Sequence, residues 1–223
     1  MLRRLNLYSG ICFFLALLAF TVFSVGNAFA REMTYEQILE KSAKVNPGLE
    51  TFKSDLSMKV YCMGLSVPLK GFLYYKRPDK LRMVIPTVPA ILKNRKSMFQ
   101  DMVPRSFNSK DYSGKVLGEE KIEDKVKCLL LELTPRKPGK IVRVQLWVDK
   151  ESMLIPKSRV FYQNDASITS LQSYKVVRGF ALPDKQKVDF SFPKFSATGV
   201  IEYQSYELNV PVDEFINKSP ESK

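Results

Sequence analysis

The sequence predicts a mainly β protein of the α+β class, with one antiparallel sheet and one helix near the start of the folded region. Apolar residues recur at helical spacing after Thr34, and from residue 51 onward short apolar segments alternate with turn-forming residues. Helix-length segments do not regularly separate these strands. A meander of antiparallel hairpins is therefore favoured over alternating βαβ units.

The first thirty residues predict an export signal rather than part of the fold. Two arginines precede an almost unbroken apolar run over residues 11–25, and an Ala-Phe-Ala motif at 28–30 has the small-x-small pattern that signal peptidase cuts. We expect cleavage after Ala30; the alternative is an uncleaved N-terminal anchor. Residues 31–223 are then long enough for a single domain with a sizeable core.

The predicted helix begins at a capping box. Thr34 and Gln37 have the required spacing, and apolar residues follow as on one face of a helix. An Asn-Pro-Gly segment at 46–48 should end it. In residues 51–62 the period changes to two, which predicts a half-buried strand. Its apolar face carries Phe52, Leu56, Met58, Val60 and Cys62.

The rest of the chain predicts short strands with turn signals between them. The strands lie near residues 67–76, 80–86, 114–118, 126–134, 141–149, 154–162, 167–177, 185–192 and 199–208. The turns are Arg77-Pro78-Asp79, Gly118 to Asp124, Pro135 to Lys140, Asp149 to Ser152, Asn164-Asp165 and Pro183-Asp184. Pro193 and Thr198-Gly199 should separate the last two strands.

Residues 86–113 are open to two interpretations. They form either a hairpin that turns at Lys93 to Lys96 or a short helix from Val88 to Met102 that covers one end of the sheet. Periodicity does not separate these alternatives.

Composition argues against an enzyme. The chain contains no histidine, which removes the commonest general base and the commonest zinc ligand. The sequence contains none of the nucleophile, phosphate-binding or dinucleotide-binding motifs, and Glu119-Glu120 and Glu123-Asp124 lie in a hydrophilic run typical of a solvated turn. We expect no cofactor and no metal.

Charge indicates the kind of partner. The formal net charge of +12 becomes +10 when the leader, with its two arginines and no acidic residue, is removed. In an exported protein this favours anionic lipid head groups or acidic proteins over nucleic acid, for which no motif is present. Solubility alone is the simpler explanation of the same charge.

Cys62 and Cys128 would meet in a compartment that permits disulfides. A bridge between them is one expectation. Separate burial as two small apolar residues is the other.

Several predicted strands are apolar on both faces. Phe72 and Tyr74 oppose Leu73 and Tyr75, and Trp147 opposes Leu146. Either the 86–113 segment covers the excess, or the sheet surrounds a cavity that meets a ligand. Strand parity gives the candidate cavity residues Leu56, Met58, Val60, Leu73, Tyr75, Leu81, Met83, Ile85, Leu146 and Phe190.

Three segments carry a resemblance to a known family. GFLYYKRPDKLRMVI (71–85) resembles the second and third strands of the LolA family of periplasmic lipoprotein carriers. Residues 116–165 and 201–216 resemble the wider LolA-like group of outer-membrane lipoprotein-sorting proteins. The next hairpin departs from the family pattern, because KNRKSMFQDMVP has Arg95 where glycine is common and lacks tryptophan.

The resemblance implies an open, half-closed antiparallel barrel whose N-terminal helix and short lid segment cover a concave apolar face that holds acyl chains. It places Arg77 on a turn arginine that helps hold the lid shut, and Leu81 near the mouth of the cavity. The implied protein is a monomeric periplasmic carrier of lipoprotein acyl chains or a related envelope lipid. It would work between an inner-membrane donor complex and an outer-membrane acceptor.

Two other functions remain open at this point. The first is an envelope-stress sensor domain of the same half-barrel type, which binds lipid or lipoprotein without transporting it. The second is a hydrolase that uses a pair of carboxylates.

Overall fold

The computed structural model describes residues 33–62, 64–88, 107–193 and 195–216. The chain divides after Met33 into two compact units, and the described residues from Thr34 onward belong to the second. The leader peptide, its cleavage site and most of the 86–113 segment lie outside the described residues. These points and the span of the domain stay predictions.

The fold is one ten-stranded antiparallel sheet. The strands are β1 (Thr51–Cys62), β2 (Leu65–Lys76), β3 (Lys80–Val84), β4 (Tyr112–Ile122), β5 (Val126–Pro135), β6 (Ile141–Asp149), β7 (Lys157–Tyr162), β8 (Ser167–Val177), β9 (Phe180–Phe192) and β10 (Phe195–Leu208). Their order in the sheet is β3-β2-β1-β10-β9-β8-β7-β6-β5-β4. Pairing of β1 with β10 joins two meanders, and β3 and β4 are the edges. The predicted mainly β fold with a single curved, open antiparallel sheet is confirmed.

Helix α1 (Tyr35–Ala43) begins at the predicted capping box. The Gln37 N–H donates to Thr34 Oγ1 at 3.4 Å, and the Thr34 N–H donates to Gln37 Oε1 at 3.0 Å. Two amide groups that a helix start leaves unpaired are thereby satisfied. Ile38 and Leu39 are buried, so the predicted apolar face packs against the sheet. Neither α1 nor the short helix α2 (Asp213–Ile216) is long and apolar enough to cross a membrane.

We call the side of the sheet that faces α1 the inner face. Gly114 of β4 marks this contact, because a Cβ there would lie 3.1 Å from Tyr35 Cδ2 and 2.5 Å from Leu133 Cδ2. The main apolar cluster occupies the inner face of β1, β2, β9 and β10. Its most deeply buried members include Leu56, Met58, Leu73, Val188, Phe190, Ile201 and Tyr203.

Other side chains of the protein pack over the apolar residues of the outer face. On β2, Tyr74 stacks on Phe215 of α2 with ring centroids 4.5 Å apart, and Lys53 Nζ lies 5.6 Å above the Phe72 ring. The second apolar face of β2, for which cover by the 86–113 segment and a ligand cavity were both open explanations, therefore packs against α2 and Lys53.

The outer face of β5 and β6 carries a separate small cluster. Cys128, Leu130 and Trp147 pack there with Ile122. Trp147 Nε1 donates to Glu120 Oε2 at 2.6 Å, and Lys157 Nζ lies 4.1 Å above the Trp147 ring. Ile122, Val126 and Leu171 of this cluster also line a cavity of about 420 Å³.

The turn predicted at Pro183-Asp184 is wrong. Strand β9 begins at Phe180, and its hairpin with β8 turns at Arg178 and Gly179, whose φ angles are 50° and 86°. Two successive positive φ values are typical of the tight turns that match the twist of a hairpin.

Pro183 is tolerated within β9 because it lies beside an irregularity in the pairing. The register with β8 shifts between Gln172 and Tyr174. There the Lys185 N–H donates to Ser173 Oγ at 3.2 Å. Residues 118–122 of the turn predicted from Gly118 to Asp124 also lie inside a strand, β4, and the break predicted at Thr198-Gly199 lies inside β10.

Of the two expectations for the cysteines, the disulfide is wrong. Cys62 and Cys128 are free thiols on β1 and β5, with five strands between them in the sheet. Burial raises the pKa of the Cys128 thiol to about 11, so this cysteine behaves as a small apolar residue.

Candidate functional site

The sheet register brings the predicted cavity residues to one face. Leu73 pairs with Ser54 of β1 and with Met83 of β3, and Tyr75 pairs with Phe52 and with Leu81. The inner face carries Leu56, Met58, Val60, Leu73, Tyr75, Leu81, Met83, Ile85, Leu146 and Phe190, while Arg77 lies in the β2–β3 turn.

A cavity of about 240 Å³ lies between α1, the loop after it and the sheet. Four of the predicted residues line it: Leu73, Tyr75, Arg77 and Leu81. Most of the other apolar lining residues belong to α1 and the loop after it, to β1, to the segment before β4, to the β6–β7 loop and to β9: Leu39, Ala43, Val45, Leu49, Phe52, Phe107, Leu154, Ile155, Ala181 and Leu182.

The remaining predicted residues are packed rather than exposed to this cavity. Leu56, Met58, Val60, Leu146 and Phe190 are at most 2% exposed. Met83 is 8% exposed, and Ile85 packs at the margin of the same cluster. A ligand would reach these side chains only if the core between α1 and the sheet opened. Their role as a lining stays a prediction.

Aromatic rings form one wall of the cavity. Phe52 stacks on Tyr75 with centroids 5.1 Å apart and meets Tyr206 edge-on at 5.5 Å. Burial raises the pKa of Tyr75 above its usual value. Tyr174, also in the lining, donates its hydroxyl to Ile155 O at 2.9 Å, and burial raises its pKa to about 12. Both phenols are therefore neutral at physiological pH.

Arg77 fastens the β2–β3 turn to the loop that follows α1. Its Nε donates to Leu49 O at 2.9 Å, and its Nη2 donates to Asn46 O at 2.5 Å. Its backbone N–H donates to Glu50 O at 2.8 Å. Because these carbonyls lie beyond the helix end, Arg77 holds in place the loop that forms part of the cavity wall.

Asn46 fastens the same loop to β9. Its Nδ2 donates to Ala181 O, and its Oδ1 accepts from the Ala181 N–H, both at 2.8 Å. This two-way pairing joins residues 135 positions apart in the chain. The sequence showed Asn46 only as part of a helix stop, because nothing local to it indicates the distant strand edge.

The described lining is suited to binding an apolar group. Leucine, aromatic and alanine side chains form most of it, and Arg77 and Asp79 lie at the turn beside it. A site of this kind gains binding energy from apolar surface removed from water, while polar groups at its rim set orientation.

Solved structures show the same architecture. A DUF1329 family protein from Desulfovibrio piger superposes with a TM-score of 0.59 at 15% identity, covering 82% of this chain and 95% of that protein. A LolA superfamily protein from Nitrosomonas europaea gives 0.56 at 16% identity, with 83% and 98% covered. An outer-membrane lipoprotein-sorting protein domain from Vibrio parahaemolyticus gives 0.63 at 12% identity, with 80% and 94% covered. At these identities the similarity establishes the fold.

Sequence comparison assigns the chain to a family. No curated protein matches the chain. A family model with the description "Uncharacterized protein" matches residues 92–218, more than half of the chain. The chain therefore belongs to that family, and its fold is the LolA-like fold.

Proposed function

We propose that the protein is a periplasmic carrier that shields acyl chains of a lipoprotein or related envelope lipid between α1 and the inner face of the sheet. The observation that carries this proposal is the apolar cavity at this position, lined by Leu73, Tyr75 and Leu81 and closed by a hydrogen-bonded loop. The periplasmic location rests on the predicted leader and on the LolA-like fold.

The cavity is too small to enclose a long acyl chain. A volume of about 240 Å³ is somewhat below the range of about 300–1,000 Å³ for sites that enclose a small ligand. A long chain would therefore need the packed residues beside it, such as Leu56 and Met83, to separate. The inner face supplies a continuous apolar surface for such an expansion.

The energetics favour a carrier that performs no chemistry. Each methylene shielded from water contributes about 0.8 kcal/mol, so a long acyl chain exposed to water costs on the order of 10 kcal/mol. Unassisted transfer between membranes is correspondingly slow. A cavity that opens to a donor and an acceptor membrane removes this cost without a catalytic group.

The direct test is to identify what the native protein carries. Mass spectrometry of lipids extracted from protein purified from the envelope should find acylated molecules in stoichiometric amount, and delipidated protein should take up a fluorescent fatty acid. Protein that is empty and takes up no fatty acid would overturn the proposal. Lipid binding without transfer between donor and acceptor vesicles would instead favour a sensor of the same fold.

A further inference from the structure

Two hairpin tips lie side by side at the end of the sheet remote from the cavity. Strand β1 pairs with both β2 and β10, so Cys62 lies opposite Leu65 on one side and Ala197 on the other. On the next strand pair, Phe192 lies opposite Phe195. We refer to the described residues at the ends of these two hairpins together as the hairpin tip: Tyr61, Cys62, Leu65, Phe192 and Phe195.

The hairpin tip exposes apolar side chains. Leu65 is 52% exposed and Tyr61 is 43% exposed, although both belong to regular strands. Phe192 and Phe195 are partly buried, with ring centroids 6.4 Å apart. An open depression of about 490 Å³ runs between the two hairpins and is lined by Tyr61, Cys62 and Leu65. The tip is therefore an apolar projection that the described part of the chain leaves uncovered.

The charges around the hairpin tip favour an anionic partner. Lys59 and Lys70 are exposed on the adjoining strands. The nearby carboxylate of Asp189 is already engaged, since it accepts from Thr198 Oγ1 at 2.7 Å and lies 3.2 Å from Lys187 Nζ. Without the predicted leader the chain carries a formal charge of +10. The net charge of the chain and the lysine charges near the tip are both positive, so both attract an anionic surface.

The hairpin tip is separate from the cavity. Phe52 lines the cavity at the start of β1, and Cys62 ends the same strand. Ten residue steps of about 3.3 Å put roughly 33 Å between them. A partner at the tip would not cover α1 or the loop that Arg77 and Asn46 hold in place.

From these observations we propose that the hairpin tip docks the protein on a membrane surface that contains anionic lipid, with Tyr61 and Leu65 entering the head-group region. Tyrosine is favoured at the membrane interface, where its ring is apolar and its hydroxyl stays hydrated. Lys59, two positions from Tyr61, would lie nearest the lipid phosphates, with Lys70 further along β2. This surface is independent of the proposed acyl-chain site, since it involves none of the residues that line the cavity.

A vesicle-binding assay tests the docking surface. Protein purified from the envelope should sediment with vesicles of phosphatidylethanolamine and phosphatidylglycerol, less so with phosphatidylcholine or at high salt. The double variant Tyr61→Ser/Leu65→Ser should bind at least about tenfold more weakly. Val176→Ser is the matched control, because Val176 is 76% exposed but lies on β8 outside the tip. Equal binding by the double variant and the wild type would overturn the proposal.

Fluorescence quenching tests the orientation. The single tryptophan of the chain, Trp147, lies on the outer face of β6, away from the tip. Vesicles with brominated acyl chains should quench the emission of Leu65→Trp and leave that of the wild type unchanged. A bound Leu65→Trp protein with no added quenching would show that another surface contacts the membrane. Neither result depends on whether the purified protein contains lipid, so the two proposals fail independently.

Discussion

Leu81 and Leu73 lie diagonally across the β2–β3 pair on the inner face but differ in environment. Leu81 is partly buried at the β2–β3 turn, beside Arg77 and Asp79 in the cavity lining. Leu73 also lines the cavity but is only 1% exposed and belongs to the main cluster. The two leucines therefore allow the role of a binding residue to be separated from that of a core residue.

Leu81→Glu should leave the protein folded but remove bound lipid. Water can hydrate a carboxylate at this margin, so we expect a loss of only about 1 kcal/mol in the free energy of unfolding, together with loss of fatty-acid uptake. Leu73→Glu is the comparison and should cost about 4 kcal/mol or more, since its charge would be buried without a partner. Urea unfolding and bound lipid should be measured together. A Leu81→Glu protein that loads lipid normally would place Leu81 outside the site.

The buried hydroxyl of Tyr174 should lower the free energy of unfolding in alkali. Burial raises its folded-state pKa to about 12, above the value near 10 expected in the unfolded chain. The stabilisation is complete below pH 10 and is lost as the pH rises toward 12, by up to about 1.4 kcal/mol per pH unit.

Tyr174→Phe isolates this contribution from the other groups that titrate in alkali. The variant should be about 1 kcal/mol less stable at pH 8, because Ile155 O loses its hydrogen bond, and should decline less steeply between pH 10 and 12. Urea unfolding at several pH values checks this. Parallel pH profiles for variant and wild type would contradict the assignment.

At the scale of elements, the contact between α1 and β4 depends on a missing side chain. A Cβ on Gly114 would lie 2.5 Å from Leu133 Cδ2 and 2.8 Å from Glu132 O. We expect Gly114→Ala to cost about 1–3 kcal/mol and to raise hydrogen exchange in α1. Gly139→Ala is the control, since a Cβ added there would meet no atom within 4 Å beyond its chain neighbours. Equal stability of the two variants would show that α1 does not need this close approach.

The loop after α1 should control access to the cavity. Asn46→Ala removes both hydrogen bonds to Ala181 while leaving the apolar lining unchanged. We expect roughly tenfold faster uptake and release of a fluorescent fatty acid, because opening no longer breaks these bonds. Stopped-flow kinetics measure this. Lys44→Ala, which removes an exposed ion pair with Glu40, should have wild-type rates. Unchanged rates for Asn46→Ala would mean that ligand enters elsewhere.

At the scale of the whole molecule, local patterns predicted the fold well. Alternation over residues 51–62 predicted β1, and Thr34 with Gln37 predicted the start of α1. The errors arose where a local turn signal was overridden by pairing. Pro183 lies inside β9 beside an irregularity of register, and that irregularity depends on Ser173 of a different strand.

The site was less accessible to sequence reasoning than the fold. Parity correctly put Leu73, Tyr75 and Leu81 on one face, but it does not distinguish a cavity wall from a packed core. The position of the cavity separates them, since Leu73, Tyr75 and Leu81 line it and Leu56 and Phe190 do not. The pairing of Asn46 with Ala181 depends on chain segments far apart in sequence, which no local pattern encodes.

The central claim is that an acyl chain lies between α1 and the inner face of the sheet. Photocross-linking with a fatty acid that carries a diazirine near its end tests it most directly, with the modified peptides located by mass spectrometry. The account predicts cross-links to the peptides that contain Leu39, Leu49, Tyr75 and Leu81, competed by unlabelled fatty acid. Competed cross-links confined to the outer face around Trp147, with none in these peptides, would contradict it.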